Sequence, residues 1–234
     1  NVMSKTLDSF ETYYKFNKFN ENNPIIFIHG IGLNNEIWDD QINYFKKYNT
    51  MVYDLIGHGK TPLNKKNIVM QDFTKQLLKL VDGLNINKFH LVGFSLGSLI
   101  ARDFATLYSD RLSSLTIFGT VYERSEDEKR QIMNRYETMK LKKDVSKVRA
   151  VNRWFTEKFL KKNPKVYKKI YSMLNDTNQE TWLKIYKLFV NHKDDDMKIK
   201  QIKAKTLIIT GEKDIGSKPE MSKKISKLIQ GSLC

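Results

Sequence analysis

The chain has 234 residues, of which 40% are hydrophobic and 12% aromatic, enough to bury one sizeable core and too much for a disordered chain. It has no continuous apolar stretch of membrane-spanning length and no charged-then-apolar leader ahead of its first strand-like segment, so it is read as a soluble, cytoplasmic protein. The net charge is +15, and the single cysteine, Cys234, is the final residue, which excludes an internal disulfide and a cysteine-based metal site.

In chain order, the apolar run Ile25, Ile26, Phe27, Ile28 reads as a buried strand that ends in the glycine turn His29-Gly30-Ile31-Gly32. Asn34 and Asn35 are good helix caps, and Trp38, Ile42 and Phe45 follow at helical spacing. Met51 to Asp54 forms a second strand, leading into Leu55-Ile56-Gly57-His58-Gly59-Lys60-Thr61-Pro62. Phe73, Leu77, Leu80, Val81 and Leu84 mark an amphipathic helix. Phe89 to Val92 is a third strand, entering Gly93-Phe94-Ser95-Leu96-Gly97-Ser98 and an apolar helix that runs to about Tyr108. Leu115 to Phe118 adds another strand, and the alternation of strand and helix predicts a mostly parallel, doubly wound α/β sheet.

From Val121 to Asp196 the alternation gives way to a wholly helical, basic and aromatic pattern containing Trp154, Phe155, Phe159, Tyr167, Tyr171, Trp182, Tyr186 and Phe189. Residues 121–196 are therefore expected to form a helical cap inserted into a core of residues 1–120 and 197–234. Between Lys129 and Lys169, 15 Lys or Arg face three acids (Glu137, Asp144, Glu157), a net of +12 that leaves +3 for the rest. Such a segment reads as solvated helix faces or as a docking surface for an acidic partner. No RNA-binding signature, helix-turn-helix pattern or zinc spacing accompanies it, so a nucleic-acid partner is not expected. Strand and helix resume with Thr206 to Thr210 and a helix from Pro219 to about Ile229.

Gly93-Phe94-Ser95-Leu96-Gly97 fits the nucleophile elbow G-x-S-x-G, with a hydrophobic strand before it and a helix after it. A turn of this kind lifts the Ser95 hydroxyl above the sheet, and the helix that starts there offers N–H groups and a positive dipole end to a developing oxyanion. In a parallel sheet the turn at residues 29–32 falls beside it. The backbone N–H groups of Ile31 and Leu96 are the expected oxyanion hole. His29 is read as orienting the loop and not as a catalyst; with Gly30 and Trp154 it completes the candidate substrate-contacting set. Asp214, just past the last strand, is placed to orient a general-base histidine, with Glu123 as a weaker substitute. Two nucleotide motifs fail. Gly59-Lys60-Thr61 has Asp54 where a phosphate-binding loop needs its first glycine, and Gly30-Ile31-Gly32 has Asn35 where a dinucleotide loop needs its third. No cofactor and no metal are expected.

His29-Gly30-Ile31-Gly32, Trp38, Asp54-Leu55-Ile56-Gly57-His58-Gly59, the Ser95 elbow and Asp214 together resemble the α/β-hydrolase superfamily across essentially the whole chain. Trp38-Asp39-Asp40-Gln41, Arg153-Trp154-Phe155-Thr156, Pro164 and Met173-Leu174 resemble the 3-oxoadipate enol-lactonases. His29 to Asn34 followed by Trp38 is equally similar to pimeloyl-acyl-carrier-protein methyl ester esterases. The resemblance implies an α/β-hydrolase fold with a cap and a serine hydrolase of a carboxylic ester or lactone, with an acyl-enzyme on Ser95, Asp214 orienting the base, and a small-molecule substrate. One alternative is a methyl ester esterase that takes its substrate from an acidic acyl carrier protein docked on the basic cap. The other is a non-catalytic binding protein on the same fold. Family members carry the catalytic histidine after one further strand. None of His29, His58, His90 and His192 follows Asp214, so that histidine is expected beyond residue 234.

Overall fold

The computed structural model describes residues 2–234. Its centre is a seven-stranded sheet in the order β1-β2-β4-β3-β5-β6-β7. The strands are β1 (Val2–Lys5), β2 (Tyr13–Asn17), β3 (Ile25–Ile28), β4 (Thr50–Tyr53), β5 (Phe89–Phe94), β6 (Leu112–Phe118) and β7 (Thr206–Ile209). From β4 to β7 every pairing is parallel. β1 and β2 are antiparallel additions at one edge. They precede the segment taken from the sequence as the first strand. In Tyr13-Tyr14-Lys15-Phe16-Asn17 only Tyr13 is fully buried, so β2, which lies between β1 and β4 one strand in from the sheet margin, shows no continuous apolar run.

Alternate residues of the strands feed two faces, as the period of two requires. Ile26, Ile28, Met51 and Tyr53 join the main core with Phe73 and Leu77 of α2 (Met70–Gly83) and Phe104 of α3 (Leu96–Tyr108). Phe27 and Val52 point the other way onto Trp38, whose ring lies 5.0 Å from that of Phe27. Trp38 closes the turn before α1 (Asp39–Tyr44). Between β6 and β7 the chain is helical: α4 (Glu126–Leu141), α5 (Lys143–Trp154), α6 (Glu157–Lys162), α7 (Pro164–Asp176), α8 (Gln179–Val190) and the short α9 (Asp196–Ile199). After β7, α10 (Pro219–Ser226) packs Met221 and Ile225 into the core. Leu233 then pairs in parallel with Leu207 at the outer edge of β7. No described helix is long and apolar enough to cross a membrane.

One buried cation ties the helical insertion to the elbow helix. Arg102 of α3 is 5% exposed. Its Nη1 donates to Thr120 Oγ1 (3.0 Å) and to the carbonyl of Val121 (2.8 Å), where the insertion leaves the sheet. Its Nη2 reaches Asp194 Oδ1 (2.9 Å), where the insertion returns. Burial alone would raise the Asp194 carboxyl; the hydrogen bond from His192 and the charge of Arg102 hold it well below the usual carboxylate range. Both ends of the insertion are thus held by one side chain.

Candidate active site

Ser95 stands between β5 and α3 with φ 54° and ψ −115°, a conformation that costs a non-glycine residue about 1–3 kcal/mol and concentrates at functional sites. The surrounding hydrogen bonds enforce it. Ser95 N–H donates to the carbonyl of Phe118 (2.9 Å), and the Ser95 carbonyl accepts from the N–H of Ser98 (2.9 Å) and from its hydroxyl (2.5 Å). The elbow glycines are needed for close approach. A Cβ on Gly97 would collide with the backbone carbonyls of Ile28 and His29, and one on Gly93 with the carbonyl of Gly97. Helix, strand and the 29–32 turn are thereby pressed together, and Ser95 Oγ is left partly exposed without a protein partner among the described residues.

Beside the elbow, the N–H groups of Ile31 and Leu96 donate to no protein acceptor among the described residues. A helix's first N–H groups lack intrahelical partners, so Leu96 is free for geometric reasons. The turn that carries Ile31 is clamped by two histidines. His29 Nδ1–H donates to the carbonyl of Gly30 (2.7 Å), while its Nε2 accepts from the N–H of Leu55 (3.0 Å). His58 Nδ1–H donates to the carbonyl of Ile56 (3.0 Å), and its Nε2 accepts from the N–H of Gly32 (2.9 Å). Each ring is used as donor and acceptor at once, which fixes the neutral tautomer. Burial pushes His29 down to about 4 and, with the neighbouring His29, pushes His58 down to about 3. His29 is therefore not a substrate contact: it is fully buried, spends both nitrogens on backbone and does not line the cavity. The orienting part of its reading matches the geometry.

Asp214 follows β7 and faces Ser95 across one cavity. Its Oδ1 accepts from the N–H groups of Gly216 (2.9 Å) and Ser217 (2.8 Å), and its Oδ2 accepts no hydrogen bond among the described residues. Glu123 does not compete for this place; it lies toward Lys224, 3.8 Å away. None of the four histidines lines the cavity. His90 bonds Ser114 at the other end of β5. His192 bonds Asp194 in a separate, wider cleft of about 790 Å³ beside Tyr122 and Asp196.

The cavity's sheet side is Ile31, Phe94, Ser95, Gly119 and Asp214; the helical side includes Trp154, Tyr186, Phe189 and three arginines, Arg124, Arg135 and Arg153. Gly30 lies just behind, where a Cβ would stand 3.4 Å from Ser95 Cβ. Trp154, expected to contact substrate, lines this cavity. The arginines were missed because the insertion's charge reads from sequence as outward-facing. Residues 54–61, which carry the failed phosphate motif, fold on themselves: Lys60 N–H donates to Asp54 Oδ2 (2.9 Å) and Thr61 N–H to the carbonyl of His58 (3.0 Å).

Comparison with known proteins agrees with this architecture. The family model described as the α/β hydrolase fold matches residues 23–234. The chain belongs to the α/β-hydrolase family. Among its relatives, an (E)-2-((N-methylformamido)methylene)succinate hydrolase of Acinetobacter baylyi is 27% identical over 94% of this chain and 84% of its own length. A 3-oxoadipate enol-lactonase of the same organism is 29% identical over 83% of this chain and 73% of its own. A pimeloyl-[acyl-carrier protein] methyl ester esterase of Wigglesworthia glossinidia brevipalpis is 30% identical over 82% and 74%. The resemblance drawn from the motifs thus extends to both groups it pointed to. As an α/β hydrolase, the chain carries its strained serine and the adjoining free N–H groups at the carboxyl ends of parallel strands, where open α/β sheets form their sites.

Proposed function

We propose that this α/β hydrolase cleaves a carboxylic ester or lactone through an acyl-enzyme on Ser95. The observation that carries the reading is the strained Ser95 elbow with the unpaired Ile31 and Leu96 N–H groups beside it. Ser95 Oγ attacks the substrate carbonyl and gives its proton to an imidazole, while the carbonyl oxygen takes up negative charge against the two N–H groups. Collapse breaks the C–O bond, and the leaving alkoxide takes the proton from the imidazolium. Water then repeats the sequence on the acyl-enzyme. Asp214 Oδ2 orients the imidazole in this reading, which calls for a histidine that none of the four in the sequence supplies. No step needs a cofactor or a metal.

The test is covalent. The purified protein, treated with a fluorophosphonate and digested, is expected to carry the adduct on the Ser95 peptide, and Ser95→Ala to carry none. An unlabelled Ser95 would sink the esterase reading and favour a binding protein on the hydrolase fold.

A second reading changes the substrate's carrier. Lys158, Lys162, Lys165 and Lys168 of α6 and α7 are exposed and form no ion pair among the described residues, and they would suit an acidic acyl carrier protein. In that case hydrolysis of a carrier-bound methyl ester falls steeply with salt while that of the free ester does not. Equal salt responses would exclude it.

A further inference from the structure

The chain has 41 basic residues, of which 34 are Lys and only seven Arg, all between positions 102 and 153. Three of those seven, Arg124, Arg135 and Arg153, line the cavity that holds Ser95. They come from three places in the helical insertion: the loop before α4, the middle of α4 and the last turn of α5. Guanidinium differs from ammonium in presenting a rigid planar fork that matches a carboxylate with two parallel hydrogen bonds. A chain that otherwise relies on lysine has placed three of its seven forks around one space.

None of the three forms an ion pair among the described residues, whereas Arg102, Arg111 and Arg130 each do. The cavity contains two acids. Glu128 is engaged by Lys218 (3.2 Å) and by the Ser125 N–H (2.8 Å), and Asp214 is held through Oδ1 by its own loop. Arg124 is fixed from two sides, with Nη1 donating to the Phe189 carbonyl (3.1 Å) and the guanidinium 4.6 Å from the Phe189 ring centre. Its Nη2 is buried and has no partner among the described residues. Burial, and the charge of Arg135 on its neighbours, disfavour the cationic forms of Arg124 and Arg153. Three like charges in one cavity, with neither of its two carboxylates within ion-pair distance of them among the described residues, are costly, and an anionic ligand offsets that cost.

We propose that the substrate carries a free carboxylate, gripped by Arg124, Arg135 and Arg153 while its ester or lactone carbonyl faces Ser95. The inference rests on the hydrolase reading for the second half of that sentence only; the anion site stands on the arginines. It narrows the substrate class to acidic esters and lactones. It also separates the interior arginines from the exterior lysines, which the sequence had merged into one basic segment.

The probe is glutarate, titrated calorimetrically into the intact protein at low ionic strength, with the neutral diamide glutaramide as control. Glutarate is expected to bind and glutaramide not to. Arg135→Gln and Arg153→Gln should each weaken glutarate by about 30-fold or more, the lower end of the loss when one partner of a buried charge pair is removed. Lys46→Gln, which removes an exposed charge elsewhere, should leave it unchanged. Thermal unfolding of the two arginine variants checks that each is folded, and either one suffices. Absence of glutarate binding, equal binding of glutaramide, or undiminished binding in the folded arginine variants would overturn the proposal. Fluorophosphonate labelling of Ser95 is independent of every one of these results, so a failed anion site and a failed hydrolase reading are told apart.

Discussion

The two halves of the cavity are built on opposite principles. On the sheet side, backbone packs against backbone: a Cβ at Gly93 or Gly97 has no room, Ser95 is held in a strained conformation by hydrogen bonds to its own N–H and carbonyl, and the charge of His29 and His58 is suppressed. On the helical side, long cationic side chains reach inward from α4, α5 and the preceding loop, with no carboxylate paired to them among the described residues. The first half presents neutral N–H donors, the second fixed positive charge; in the proposed reading the one meets a charge that appears during reaction and the other a group the ligand already bears. Under the proposed reading, the acyl-transfer chemistry belongs to the sheet and the choice of molecule to the insertion.

If the two halves are separable, the joint between them is where the comparison breaks most visibly. Arg102 is that joint, and removing it leaves Asp194 partly buried without its cation. Arg102→Met is expected to destabilise the protein by about 3 kcal/mol, the lower end for breaking a buried pair because Asp194 keeps some exposure. Equilibrium urea unfolding measures it. Adding Asp194→Asn should recover a substantial part of the loss, since the orphaned charge goes with it. A loss below about 0.5 kcal/mol, the range of a surface pair, would show that the insertion is not held at this point.

The same division explains what was legible in the sequence. The elbow, the 29–32 turn and Asp214 are spelled by neighbours in the chain, because strand, turn and helix there must satisfy one another locally, and Ile31, Ser95 and Asp214 line one cavity. β2 escaped because, one strand in from the sheet margin, it fully buries only Tyr13, and Tyr13-Tyr14-Lys15-Phe16-Asn17 gives no apolar run. The arginines escaped for another reason. Whether a basic residue on an amphipathic helix faces water or a cavity depends on what the helix packs against, and 15 positive charges in 41 residues look alike in one dimension. Residue type was the usable clue, since arginine is rare in this chain. His29 shows the converse: its turn was found correctly, but only the structure reveals that both nitrogens are spent on backbone.

The smallest expected effect tests the sheet side alone. His29 and His58 are neutral in the fold, about 4 and about 3 against an ordinary 6.5, and their Nε2 atoms each face an N–H, so a proton added there would set donor against donor. Because the folded values lie below the unfolded one, the unfolded chain binds more protons as pH falls through 6.5, and stability is complete above about pH 7.5 and lost on acidification. Between about pH 7.5 and 6.0 the loss should be about 1 kcal/mol for each of the two histidines. His90, also shifted down by burial, adds to it in the same direction. Asp194 titrates far below this window and adds nothing. Urea unfolding at the two pH values gives the difference directly, and His58→Gln, if folded, should reduce it by roughly the share of one histidine. An unfolding free energy that does not change between those pH values would mean that the clamp on the Ile31 turn accepts a proton, and that the oxyanion side is not held in a single charge state.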